Sequence, residues 1–163
     1  MKRFLLIAAL FAVCALPAHA TNLSDIFKLY AGANAVWLDG PGAEFPSDTE
    51  LGGSTSASLS PHISAVGSAF YGFSNNYTRW DGGARVTATD VDNPNFNVYL
   101  GIRYRGGTTS AMLPEEWAPD AGVGWKPSPA RWPNLILGAD AGYGLQSSRT
   151  VAYLAVRYLI PLK

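Results

Sequence analysis

The sequence predicts an all-β protein: a closed, antiparallel, eight-stranded up-and-down β-barrel that crosses a membrane. Three observations carry this. Apolar and polar residues alternate with period two in eight segments of about ten residues, which is strand spacing. The breaks between them are rich in Gly, Pro, Asn, Asp and Ser, the residues of turns. Beyond the N-terminal leader no segment has the ~20 apolar residues a spanning helix needs, and an even strand number suits a closed membrane barrel.

The leader comes first. Lys2 and Arg3 precede an apolar run from Phe4 to Leu16, and Ala18-His19-Ala20 is a small-x-small cleavage signal. Residues 1–20 read as a secretory signal peptide, because the run is too short to span. The only cysteine, Cys14, lies within it. Residues 21–163 form one domain, the barrel, without disulfides. Removing Lys2 and Arg3 leaves ten basic and twelve acidic residues, with no charged block. Nucleic acid is therefore excluded as a partner.

The strands follow in order. Phe27, Leu29, Ala31, Ala33, Ala35 and Trp37 share one face, opposite Lys28, Tyr30, Gly32 and Asn34. Leu51, Thr55, Ala57 and Leu59 oppose Glu50, Ser54, Ser56 and Ser58. Ile63, Ala65, Ala69, Tyr71 and Phe73 oppose Ser64 and Ser68. Trp80, Ala84, Val86 and Ala88 oppose Arg79, Asp81, Arg85 and Thr87. Phe96, Val98, Leu100, Ile102 and Tyr104 oppose Asn97, Arg103 and Arg105. Ala121, Val123 and Trp125 oppose Asp120, Gly122, Gly124 and Lys126. Leu135, Leu137, Ala139, Ala141 and Tyr143 oppose Asn134, Gly138 and Asp140. Ala152, Leu154, Val156, Tyr158 and Ile160 oppose Tyr153 and Arg157.

Alternation alone does not separate a membrane barrel from a soluble ligand-binding one, which turns its apolar face inward. Three features favour the membrane. The apolar face carries no charge at any strand position; every strand charge is on the other face. A charge facing mid-bilayer, where Leu137 is expected, costs ~2–4 kcal/mol for Arg or Lys. The apolar face also has its aromatics at the strand ends. Trp37, Tyr71, Phe73, Trp80, Tyr104 and Tyr143 form one girdle, and Phe27, Phe96, Trp125 and Tyr158 the other. Finally, with the last strand descending to the periplasm, "SPH", "DVDNPN" and "PSPAR" are short periplasmic turns. Residues 39–48 and 106–117 are then long outer loops.

On these features the chain resembles the small eight-stranded outer-membrane barrels of the OmpA/OmpX type over all of residues 21–163. The segment "VAYLAVRYLIPLK" looks like their closing strand, although it ends in Pro161, Leu162 and Lys163, with its aromatic, Tyr158, further back. The resemblance implies a Gram-negative outer-membrane location. Implied partners are outer-membrane lipid and lipopolysaccharide, the barrel-insertion machinery, and a surface ligand at loops 39–48 and 106–117.

The inward charges are expected to form a lumen network: Lys28, Glu50, Arg79, Asp81, Arg85, Arg103, Arg105, Asp120, Lys126, Asp140 and Arg157. An eight-stranded bore is just wide enough for side chains to fill it. Ion pairs should plug it, with Gly32, Gly52, Gly122, Gly124 and Gly138 making room for the arginines. Lys28, Arg85, Lys126 and Arg157 leave a positive excess in the periplasmic half.

His62 and Ser64, in "SLSPHISAVG", have the spacing of a base beside a nucleophile. Outer-membrane lipid A deacylases of the PagL type carry a similar His-x-Ser, oriented by a Glu. There the pair lies late in the chain and faces outward; here it lies early and faces inward. Pro61 suits the corner of a tight turn, and a turn is the preferred reading. Glu115 and Glu116, in "PEEW", are read as a solvated loop in preference to a cation site. One histidine and no cysteine after residue 20 make no zinc site. No catalytic residue, metal site or cofactor is predicted. The expected role is structural or surface interaction through the outer loops. The alternatives are a lipid-modifying enzyme, a narrow pore and a soluble periplasmic ligand-binding barrel.

Overall fold

The computed structural model describes residues 26–41, 47–89, 93, 95–108 and 114–162. The segment expected to be a signal peptide, 1–20, lies outside the described residues. Eight strands run as β1 Phe27–Asp39, β2 Ser47–Ser58, β3 Ile63–Gly72, β4 Tyr77–Thr89, β5 Phe96–Gly107, β6 Glu116–Trp125, β7 Leu135–Tyr143 and β8 Thr150–Ile160. Each pairs antiparallel with the next, and β1 pairs with β8 from Leu29↔Ile160 to Asp39↔Thr150. The sheet therefore closes and leaves no strand edge, as a lipid environment demands of strands.

The faces divide as a membrane requires and a soluble barrel forbids. Leu100 is 65% exposed and Val86 and Leu154 are each 55% exposed, all on the outer surface. Glu50 and Glu116 are fully buried and Arg79 nearly so, all inside. The soluble ligand-binding alternative is thereby overturned, because it needs the opposite arrangement. One outward position does carry a charge, contrary to expectation: Asp39. It ends β1, two residues beyond Trp37, so it need not enter the apolar band. Leu137 is not at mid-height. It pairs with Trp125, close to the start of β7. Leu100, midway along β5 between Phe96 and Tyr104, takes that place.

The expected loop asymmetry does not hold. Asp39 belongs to β1, Ser47 and Asp48 to β2, Gly106 and Gly107 to β5, and Glu116 and Trp117 to β6. Continued ladder pairing consumes these residues: Trp37 pairs with Ser47, and Arg105 with Glu116. The connections left are 40–46 and 108–115. Residues 42–46 and 109–113 of these lie outside the described residues. The connection 126–134, at the end of the barrel that carries both termini, is longer than either. It is also compact. Arg131 and Trp132 donate backbone bonds to Ser128, and the Lys126 amide donates to Asn95 of the neighbouring connection.

Candidate functional site

The bore is the site the fold builds. Residues of one parity on every strand point into it, and eight of their charges meet in one alternating chain. Glu50 of β2 pairs with Arg79 of β4 at 2.8 Å, and Arg79 with Asp81 at 2.7 Å. Asp81 meets Arg103 of β5 at 3.4 Å, and Arg103 meets Asp120 of β6 at 2.9 Å. Asp120 and Asp140 of β7 share Arg85, at 3.5 and 3.7 Å. Asp140 then pairs with Arg157 of β8 at 2.6 Å. Acid and base alternate across six of the eight strands. Four carboxylates face four guanidinium groups, so the chain is neutral. That matters because an unpaired buried charge costs several kcal/mol.

Two further acids join the interior, and the sequence reading placed neither there. Glu116 is not in the expected solvated loop. It is instead the first residue of β6, fully buried, and pairs with Arg105 at 3.0 Å. Its carboxylate also accepts the backbone N–H groups of Gln146 and Ser147 and the Ser147 hydroxyl. Asp48, read as loop, is buried at the start of β2. It accepts the backbone N–H groups of Ser74 and Asn75 and the Asn75 side-chain amide. Each acid thus ties down a connection at the end away from the termini, 73–76 by Asp48 and 144–149 by Glu116. The signal was available: continuing each strand's parity outward puts both on the polar face.

The expected positive excess of four residues is therefore reduced. Arg85 and Arg157 reach toward the carboxylates of the central chain. Only Lys28 and Lys126 of the predicted set make no ion pair among the described residues.

Aromatic rings also fill the bore. The Arg79 guanidinium lies 4.5 Å from the Tyr153 ring centre and 5.0 Å from that of Phe70. Arg85 lies 3.5 Å from the ring centre of Tyr99. Desolvated contacts of this kind are worth up to ~2 kcal/mol. Tyr77 donates to Glu50 at 2.8 Å and packs its ring over Gly72, its cross-strand partner, where a side chain has no room. With Val36, Leu38, Val151 and Tyr153 it forms a small apolar core. The inward glycines serve these rings as much as the arginines. Gly32 and Gly138 adjoin Arg157, whereas Gly52 faces Phe70, Gly122 faces Tyr99 and Gly124 faces Asn97.

Below the chain of charges, toward the termini, the bore widens into a cavity of about 380 Å³. His62 and Ser64 line its mouth. Ser60 Oγ accepts the His62 and Ile63 amides, so "SPH" closes on itself as a turn. Ser64 is on the inward face of β3, paired with Ser58 and Arg85. No hydrogen bond joins the His62 ring to Ser64 or to a carboxylate among the described residues, so the base has no orienting partner there.

On the outer surface, Trp37, Tyr71, Phe73, Trp80, Tyr104 and Tyr143 lie toward one end, and Phe27, Phe96, Trp125 and Tyr158 toward the other. Trp117 adds to the first set. Its ring meets Tyr104 edge-on at 5.4 Å, and Tyr104 lies 5.8 Å from Trp80. Residue 117 falls within the expected outer loop 106–117 but belongs to β6.

This architecture is that of the small eight-stranded outer-membrane β-barrels. The chain is similar to a de novo designed transmembrane β-barrel, at 14% identity over 82% of this chain and 95% of that one, with TM-score 0.58. It is similar to Neisserial surface protein A at 14% identity over 83% of this chain and 97% of the other, with TM-score 0.51. The N-terminal β-barrel domain of Pseudomonas aeruginosa OprF matches at 12% identity over 82% and 97%, with TM-score 0.52. No family model and no curated protein matches the sequence.

Proposed function

We propose that the protein is a non-conducting outer-membrane barrel of a Gram-negative bacterium, with a structural or surface-interaction role. The end at which β1 begins and β8 finishes faces the periplasm, and the end that carries 73–76 and 144–149 faces outward. One observation carries the reading: the neutral chain of alternating charges from Glu50 to Arg157 that crosses the bore. Four guanidinium groups and two rings, Phe70 and Tyr153, occupy the section that an ion would have to pass. Moving an ion through means breaking buried pairs, and each break costs several kcal/mol. The anchoring of 73–76 and 144–149 by Asp48 and Glu116 supports a fixed outer surface, on which binding residues need little ordering.

Planar-bilayer recording on the protein extracted from outer membranes tests this. Silence is expected for the wild type. Steady unit conductance would overturn the plug and favour a narrow pore. Surface labelling of Cys substitutions at Ser74 and Ser148 in intact cells tests the orientation, and labelling is expected at both.

A further inference from the structure

We infer that the cavity at the terminal end of the bore is a binding site for a small, hydroxyl-rich oxyanion of the sugar-phosphate kind, taken up from the aqueous space that the termini face. The cavity, about 380 Å³, falls within the size range of small-molecule sites. Its roof is the ion-pair chain, through Asp81, Arg103, Asp140 and Arg157. Its walls are a sheet closed on itself, so entry is through the mouth of the bore and not from lipid.

The chemistry of the lining selects the ligand. Lys28 and Lys126 both line the cavity, and neither is in an ion pair among the described residues. The roof is internally neutral, so these two ammonium groups set the sign of the cavity: it favours an anion. The Arg85 and Arg157 side chains line the same space and add to its positive character, with Asp140 beside them. Ser54, Ser56, Ser58 and Ser64 contribute a wall of hydroxyls. A hydroxyl both donates and accepts, so this wall suits a partner that is itself hydroxylated. An apolar ligand would leave these groups unsatisfied.

The experiment is an NMR titration of the protein, extracted from outer membranes, in zwitterionic micelles. Glucose 6-phosphate is the probe; glucose and inorganic phosphate are the controls. Saturable shifts are expected at Lys28, Ser56, Ser64 and Lys126 with glucose 6-phosphate, and weaker binding with either control. A Lys28→Gln/Lys126→Gln variant should bind at least ~10-fold more weakly, since charge-assisted hydrogen bonds are lost. Neither lysine holds an ion pair among the described residues, so the variant should fold. Unchanged heat-modifiability on a detergent gel checks that. No saturable shift, undiminished affinity in the double variant, or phosphate binding as tightly as glucose 6-phosphate would each overturn the proposal. The bilayer result is independent, because a conducting bore could still bind the probe and a silent one could fail to.

Discussion

Glu116 shows how much one side chain can hold inside a barrel. It neutralises Arg105 and accepts two backbone amides and a hydroxyl from the connection between β7 and β8. Glu116→Ala leaves Arg105 buried without its anion, and the expected loss is ~3–5 kcal/mol. Urea unfolding in micelles, followed by tryptophan fluorescence, measures it. Limited proteolysis should then cut within 144–149, where the wild type resists. The Tyr77 hydroxyl makes a smaller contribution through its bond to Glu50. Tyr77→Phe should cost ~1.5–3 kcal/mol, the range for a hydrogen bond to a charged group. The same unfolding experiment ranks the two, and a larger loss for Tyr77→Phe would contradict the ion-pair assignment of Glu116.

At the scale of the element, each strand sets its outward residues in lipid and its inward ones in the bore. Leu100→Arg puts a guanidinium midway between the two aromatic girdles of β5. It should destabilise the folded barrel by ~2–4 kcal/mol and lower the heat-modifiable fraction recovered from outer membranes. Asp39→Asn is the contrasting case. Asp39 sits at the end of β1, beyond Trp37, and a surface change of that kind is usually within ~0.5 kcal/mol. Equal effects of the two substitutions would mean that the membrane band is wrongly located on the strands.

On the scale of the whole molecule, closure explains why so many charges are tolerated in so narrow a space. A sheet that closes from β1 to β8 brings together charges from six strands, far apart in the chain. Their alternation in sign holds only in that assembly. Arg103→Ala removes the link between Asp81 and Asp120, widens the bore and leaves the chain one positive charge short, with Asp81 held by Arg79 and Asp120 by Arg85. Cation-selective conductance is expected from it in a planar bilayer, against silence from the wild type. A silent variant would mean that the rings and remaining arginines seal the bore without the chain.

Alternation by itself determined the strand number and the two faces, because lipid and bore demand opposite chemistry and a strand turns successive residues to opposite sides. It also marked eleven charges as inward. It stopped short at strand ends, where polar turn residues and polar bore residues look alike. Asp48, Glu116 and Trp117 were read as loop for that reason. Parity could have recovered them; partner choice could not be read at all. Arg85 meeting Asp120 and Asp140, or Tyr77 covering Gly72, depends on register and shear, which hydrogen bonding between distant strands sets. Only the closed tertiary structure decided which charges cancel. It therefore also decided that, among the described residues, Lys28 and Lys126 stand outside the cancellation, lining an open cavity.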